Sequence, residues 1–120
     1  MRLRGIRGAT TVDANTREAI LQASSELLSA LIEANGVHVD DVASAFFSTT
    51  PDLTAEFPAL AARQTLGWSH VALMCAHEMN VPGSLPMCLR LTLLVNTDRA
   101  QSEICHVYLR GAKVLRPDLS

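Results

Sequence analysis

Apolar residues repeat along the chain with two spacings, and these predict an alternation of helices and strands. The clearest helix is marked by apolar side chains three or four positions apart, at Ile20, Ala23, Leu27, Leu31 and Ala34. Asn15 and Glu18 precede this stripe with the spacing of a capping box, and Gly36 follows it as a left-handed stop. The pattern therefore predicts one long helix between Asn15 and Gly36.

The remaining apolar segments are shorter and are typical of strands. We predict strands in five segments, 2–10, 43–50, 68–75, 87–95 and 105–110. A second helix is expected over 59–66, with Pro58 in its first turn and Gly67 at its end, and a short helical turn at 39–41. The expected fold is a single α+β domain spanning 1–120, a mixed sheet of about five strands packed by two main helices.

The segment 87–95, MCLRLTLLV, carries an arginine within an apolar run. Strand alternation places Met87, Leu89, Leu91, Leu93 and Val95 on one face and Cys88, Arg90, Thr92 and Leu94 on the other. An arginine stays charged in a protein, so Arg90 needs an anion or a polar pocket on that face. It could equally be an edge residue that extends to water or pairs with a carboxylate.

Composition restricts the functional class. Charged residues make up 18% of the chain, below an average of about 25%, which suggests surface buried between subunits. The net charge of −2 gives no general basic field, so we expect neither nucleic acid nor a membrane surface as partner. The sequence has neither a signal-peptide pattern nor an uninterrupted apolar span, which favours a soluble cytoplasmic protein.

Three cysteines, Cys75, Cys88 and Cys105, are expected to be reduced and buried, because their number is odd and their contexts are apolar. A zinc site built from Cys75, His77, Cys105 and His106 is disfavoured, since no CxxC pair exists. Cys75 and His77 could form a nucleophile and base, or could simply be packing residues.

Other polar candidates also have structural interpretations. Arg7 and Arg63 could be surface charges, and Glu78 could be a salt-bridge partner for either of them. Tyr108 could be an ordinary half-buried strand aromatic.

Six segments, in order and without visible gaps, together resemble a known family: RGIRGATTV, TPDLTAEFPALAAR, CAHEM, LRLTLLVNTD, HVYL and LRPDLS. The chain resembles the monofunctional chorismate mutases of the trimeric α/β type, the AroH class. The resemblance implies a homotrimer of pseudo-barrel subunits with active sites between neighbours. It also implies the unimolecular rearrangement of chorismate to prephenate, on the route to phenylalanine and tyrosine, without a cofactor or a metal.

The resemblance also implies roles for individual residues. Arg7 would bind a substrate carboxylate, and Arg90 would contact a carboxylate and the ether oxygen of the breaking bond. Glu78 would accept the ring hydroxyl with Cys75 close by, and Tyr108 would hydrogen-bond a carboxylate. The pocket would be lined by Phe57, Ala59, Arg63, Leu73, Met74 and Leu115, with Arg116 near its mouth.

Two positions depart from the family pattern, with Leu60 in place of a lysine and Met74 in place of a threonine. Two other functions remain open at this point. A trimeric regulatory domain could hold a metabolite carboxylate with the same arginines and without catalysis, and a structural assembly module would need no convergence of Arg7, Glu78, Arg90 and Tyr108.

Overall fold

The computed structural model describes residues 1–116 and contains five strands and two α-helices. The strands are β1 (Arg2–Thr11), β2 (Val42–Thr49), β3 (Ala72–His77), β4 (Cys88–Thr97) and β5 (Val107–Tyr108). The helices are α1 (Arg17–Asn35) and α2 (Ala59–Thr65), and short 3₁₀ helices lie at Val39–Asp41, Gln101–Glu103 and Arg110–Leu115. This confirms the predicted α+β class, including the helical turn at 39–41.

The five strands form one mixed sheet in the order β3-β2-β4-β1-β5. β4 is central and runs antiparallel to both β1 and β2. The outer strands are parallel to their neighbours, β3 to β2 and β5 to β1. Because β4 is hydrogen-bonded on both sides, its side chains alternate strictly between the two faces of the sheet.

One face of the sheet carries both α-helices and the hydrophobic core. Leu89, Leu91, Leu93 and Val95 of β4 are at most 2% exposed and point into this core, whereas Thr92 is exposed on the opposite, outer face. The helices contribute buried apolar residues to the core, among them Ile20, Leu27, Leu28 and Leu31 of α1 and Ala59 and Ala62 of α2. The alternation predicted for this strand is therefore confirmed.

The start of α1 differs from the sequence prediction. Thr16, rather than Asn15, is the N-cap, and its side chain accepts a hydrogen bond from the Ala19 amide. The Asn15 side chain instead accepts the Thr54 and Ala55 amides, at 2.9 and 3.0 Å, and thereby holds the loop before α2. The Asn15 side chain therefore does not cap the helix, because it binds residues 39 and 40 positions later in the chain.

Two further predictions need correction. β3 begins at Ala72 rather than at residue 68, because Trp68 is 4% exposed and packs in the core, with its amide bonded to Ala62. All three cysteines are free, but Cys105 is exposed and Cys75 is only half-buried, so only Cys88 is a fully buried thiol. Neither helix has the length and apolarity that a membrane span needs within residues 1–116.

Gly8 lets β1 and β5 approach α1 closely. A Cβ at this position would lie 3.0 Å from Leu27 Cδ1, 3.1 Å from Leu31 Cδ1 and 3.1 Å from the Val107 carbonyl oxygen. The two leucine ends could move, but the carbonyl belongs to the sheet backbone. Even the smallest side chain would therefore overpack this junction.

We predict that Gly8→Ala lowers the free energy of unfolding by about 1–3 kcal/mol, the usual cost of overpacking a core. Gly5→Ala in the same strand is the matched control, because its Cβ would meet no atom closer than Leu94 Cδ2 at 4.0 Å. Urea unfolding of both variants measures the difference. Equal stability of the two would mean that α1 shifts to accommodate the methyl group.

Candidate active site

The outer face of the sheet carries Arg90 at its centre. Across the strands Arg90 is in register with Ser48 of β2 on one side and Ala9 of β1 on the other, and Ala9 is in register with Tyr108 of β5. Arg7 lies two residues before Ala9 and therefore on the same face. Sheet pairing, rather than sequence proximity, brings Arg7, Arg90 and Tyr108 to one surface.

An open cleft of about 540 Å³, which we call the arginine cleft, lies over this surface. It is lined by Arg7, Phe46, Ser48, Ala76, His77, Glu78, Arg90, Leu91 and Thr92. Neither arginine forms an ion pair with a carboxylate within the described range 1–116. Two fixed positive charges therefore face the same space, and an anionic ligand would be attracted to it.

Two polar atoms next to this surface are buried and have no hydrogen-bond partner among residues 1–116. They are Nε of Arg90 and the hydroxyl oxygen of Tyr108. A buried polar group without a partner costs about 1–3 kcal/mol, and more when the group is charged. A polar ligand bound at this surface would give both groups the hydrogen-bond partners that they lack among residues 1–116.

Glu78 reaches the arginine cleft just beyond the end of β3. Its amide donates to the Thr49 carbonyl at 2.8 Å, and its Oε1 accepts the Met79 amide at 2.8 Å. The backbone bond continues the alignment of β3 with β2 by one residue. The lining of the cleft thus includes one carboxylate acceptor, Glu78, and two guanidinium donors, Arg7 and Arg90.

Six other predicted residues line a second cleft, of about 460 Å³, between β3 and α2, which we call the helix cleft. They are Phe57, Ala59, Arg63, Leu73, Met74 and Cys75. Phe57 and Met74 are large apolar side chains that remain 68% and 64% exposed. Leu60, also on α2, is half-buried. Within the single chain, these six residues therefore lie in a different cleft from Arg7, Glu78 and Arg90.

The last predicted residues lie at the β5 end of the outer face. Tyr108 is 7% exposed and packs with Ala9 and Ala112, and Leu115 contacts the same small cluster. Arg116 follows the 3₁₀ helix Arg110–Leu115, and its charge acts on the His106 ring. Every residue singled out for the site lies within the described part of the chain.

The thiols of Cys75 and Cys88 are not activated as nucleophiles. Burial raises the pKa of Cys75, although the Ala59 amide and the Arg63 charge oppose the shift, and burial likewise raises the pKa of Cys88. The His77 ring contacts the Thr49 hydroxyl at 3.2 Å and its carbonyl at 3.3 Å. A Cys75–His77 nucleophile pair is therefore not assembled, and residues 1–116 contain no group of three or more potential metal ligands.

Sequence reasoning missed a network that fixes the beginning of β4. Asp52 accepts hydrogen bonds from the Thr50 hydroxyl and from the Met87 amide, and the Thr50 hydroxyl accepts the Cys88 amide. The Thr50 bond, more than any other contact, lowers the pKa of Asp52. Met87 has a left-handed φ of 51°, which this network stabilises three residues before Arg90. Its only sequence signal is the turn-forming triplet Thr50-Pro51-Asp52.

Sequence reasoning also missed Arg110, which anchors the C-terminal 3₁₀ helix. Its guanidinium forms two hydrogen bonds to Glu26 of α1, at 3.0 and 3.3 Å, and one to Asp13, at 3.3 Å. Arg110 has a left-handed φ of 50°. No pattern within the C-terminal segment indicates this role, because both partners lie more than 80 residues earlier.

Comparison with known proteins adds to this geometry. Residues 3–119 match the sequence model of the family described as chorismate mutase type I. The chain is 50% identical to chorismate mutase AroH of Bacillus subtilis over 120 residues, covering 100% of this chain and 94% of that protein. It is 52% identical to chorismate mutase AroH of Thermus thermophilus over 118 residues, covering 98% and 96%. The solved structure of a chorismate mutase from Clostridium thermocellum superimposes with a TM-score of 0.90 at 51% identity, covering 92% of this chain and 97% of that one.

Proposed function

This chain belongs to the type I chorismate mutase family, and from that membership we propose how its own residues bind and rearrange the substrate. The enzyme is an isomerase that converts chorismate to prephenate, a step of aromatic amino-acid biosynthesis. A non-catalytic carboxylate-binding domain is therefore no longer the favoured alternative. The proposal concerns the residues that act, the assembly and the location.

The site assignment rests on two buried donors, Arg90 Nε and the Tyr108 hydroxyl, that have no hydrogen-bond partner among residues 1–116. Chorismate is a dicarboxylate with an ether oxygen and a ring hydroxyl, so it offers acceptors for both donors and for Arg7. We assign one carboxylate to Arg7 and Tyr108. Arg90 contacts the other carboxylate together with the ether oxygen, because a planar guanidinium can serve two acceptors at once.

The chemistry requires a conformation and an electric field rather than an acid and a base. The rearrangement breaks a C–O bond while it makes a C–C bond, in one concerted step within one molecule. Holding both carboxylates fixes the compact conformer in which the reacting carbons approach, which removes much of the ordering cost from the barrier. Negative charge then develops on the ether oxygen, where the Arg90 cation stabilises the transition state more than the substrate.

Glu78 and Cys75 complete the polar contacts. The Glu78 carboxylate accepts the substrate's ring hydroxyl, and Cys75 lies close to the same group as a neutral thiol, consistent with its raised pKa. Leu60 and Met74 contribute no charge or hydroxyl near the entrance. We expect these two side chains to affect substrate affinity rather than the identity of the reaction.

The two clefts suggest how subunits assemble. We propose a homotrimer in which the arginine cleft of one subunit faces the helix cleft of its neighbour, so that Phe57, Arg63 and Cys75 come from across the interface. Several large apolar side chains around β2 and β3 are exposed in the single chain, namely Phe46, Phe57, Met74, Met79 and Val81. β3 is also an edge strand, and such exposed apolar edges are typical of interfaces.

A cytoplasmic location fits the three free cysteines, because thiols persist in reducing compartments. Leu115 would line the pocket, and Arg116 would lie near its mouth. Arg110, through its ion pairs to Glu26 and Asp13, would set where the segment that carries Leu115 and Arg116 begins.

The first prediction concerns assembly. We expect a homotrimer at micromolar concentration, with each interface burying more than the roughly 1,000 Å² of a specific contact. Light scattering measures the mass directly. A monomer under these conditions would contradict the proposed division of the site between subunits.

The second prediction concerns pH. Because no group donates or accepts a proton in the chemical step, we expect kcat at saturating chorismate to be nearly flat across neutral pH, in contrast to the bell of an acid–base pair. Loss of chorismate absorbance in the ultraviolet gives kcat at each pH. A steep limb in kcat near the ordinary histidine pKa would count against this mechanism.

The third prediction isolates charge from shape at Arg90. Replacing Arg90 by citrulline keeps the planar group but removes the cation, and we expect kcat to fall by about 10²–10³-fold or more, as when a preorganised donor to a developing oxyanion is lost. Folding and assembly should persist, because Leu89, Leu91 and Leu93 still fill the core face.

Arg90→Lys is the companion variant, and it should also be poor. It keeps the charge but replaces the planar fork by a point donor. A structural role would instead lower the melting temperature of both variants and leave turnover per folded site intact. Near wild-type turnover in the citrulline variant would overturn the electrostatic role.

A further inference from the structure

The edge between β1 and β5 contains a side chain in place of a backbone partner. The Arg7 amide donates a hydrogen bond to Nδ1 of His106 at 3.0 Å, whereas the β1–β5 ladder itself pairs only Gly8 with Val107 and Ala9 with Tyr108. A backbone amide is always a donor, so Nδ1 must be unprotonated to accept this bond. The ring is therefore in its neutral form, with its proton on Nε2.

The backbone that carries His106 is fixed on both sides. The side chain of Asn35, 6% exposed in the last turn of α1, accepts the Cys105 amide at 2.8 Å and donates to the Cys105 carbonyl at 2.9 Å. Beyond His106, the Leu109 amide donates to the Ala9 carbonyl at 2.9 Å. The backbone around His106 is thus anchored to α1 and to β1. Its ring accepts the amide of Arg7, which lies two positions before Ala9 in β1.

The charges around the ring favour the neutral form. Arg7 approaches from β1 and Arg116 from the end of the C-terminal 3₁₀ helix, while the anchor from α1, Asn35, is uncharged. Burial lowers the pKa of His106 below its ordinary 6.5, and the two arginine charges lower it further. At neutral pH the acceptor at Nδ1 is therefore present.

We propose that His106 is a positioning residue for substrate binding, and that its neutral Nδ1 holds the backbone of Arg7 so that the Arg7 guanidinium meets a substrate carboxylate. The inference rests on the proposed role of Arg7. His106 touches neither the substrate nor the reacting atoms, and it acts only through Arg7.

Protonation of His106 would break this arrangement. A hydrogen on Nδ1 would face the Arg7 amide, so two donors would oppose each other and β1 would separate from the ring at this point. Because Arg7 holds a carboxylate in the bound substrate and in the transition state, the effect appears in kcat/KM. We therefore expect kcat/KM to fall as the pH decreases from 6.5 toward about 5, where carboxylates remain ionised.

The test compares two replacements of His106 in the full-length enzyme. In His106→Asn, the amide oxygen can take the place of Nδ1 as a neutral acceptor that does not titrate, whereas His106→Leu offers no acceptor. We expect His106→Asn to keep kcat/KM within about threefold at neutral pH and to lose the acid decline. His106→Leu should lose about tenfold or more in kcat/KM at every pH, the scale of one lost hydrogen bond.

His38→Asn is the matched control, because His38 precedes the 3₁₀ helix Val39–Asp41 and its side chain forms no capping bond there. This variant should retain the acid decline of the wild type. A purely structural role of His106 would lower the melting temperature and leave kcat/KM per folded site unchanged in both His106 variants, which would overturn the proposal. An acid decline that persists in His106→Asn would overturn it as well, even if His106→Leu fails to fold.

Arg7→Ala separates this inference from the proposed function. If Arg7→Ala itself keeps wild-type kcat/KM, the role proposed for Arg7 is wrong, and the inference falls with it. If Arg7→Ala loses kcat/KM but His106→Leu does not, only the inference on His106 is wrong. The proposal predicts that both single variants lose kcat/KM and that the double variant is no worse than Arg7→Ala.

Discussion

The central strand β4, which carries Arg90 on one face and core leucines on the other, is the feature on which the proposed site and the fold both depend. β4 is hydrogen-bonded to β1 and β2 along its length, so the backbone of Arg90 moves only if two ladders move with it. Its neighbours Leu89 and Leu91 are buried in the core on the opposite face. An apolar core therefore fixes the position of a charged group that faces the other way, which is the preorganisation that electrostatic catalysis requires.

This arrangement has a cost in stability that other contacts offset. Arg90 Nε and the Tyr108 hydroxyl are desolvated without partners among residues 1–116, and both Met87 and Arg110 adopt left-handed backbone conformations that non-glycine residues disfavour. The two residues with left-handed backbones are held by strong polar contacts. Asp52 binds the Met87 amide, and Arg110 itself pairs with Glu26 and Asp13. Both left-handed backbone positions are therefore held by side-chain contacts from other parts of the chain.

Local patterns predicted most of the fold because each strand and helix has its own apolar period. The faces of β4 and the end of α1 at Gly36 follow from a few neighbouring residues. The misplaced N-cap at Asn15, the late start of β3 after Trp68 and the roles of Asp52 and Arg110 all depend on contacts across more than 30 positions or on burial in the core. The site was indicated by family resemblance, since strand spacing alone does not say which faces meet.

The arginines proposed for the site are accompanied by two thiols and one imidazole, those of Cys75, Cys88 and His106, that stay neutral at neutral pH. Arginines keep their charge throughout, burial raises the pKa values of Cys75 and Cys88 so that both thiols stay neutral, and burial with two nearby arginines lowers that of His106 so that its ring stays neutral as well. A reaction that moves no proton gains nothing from a group poised at its pKa. Such a reaction gains from an electric field that is the same before and after each turnover. Fixed arginine charges and neutral neighbouring side chains keep that field constant.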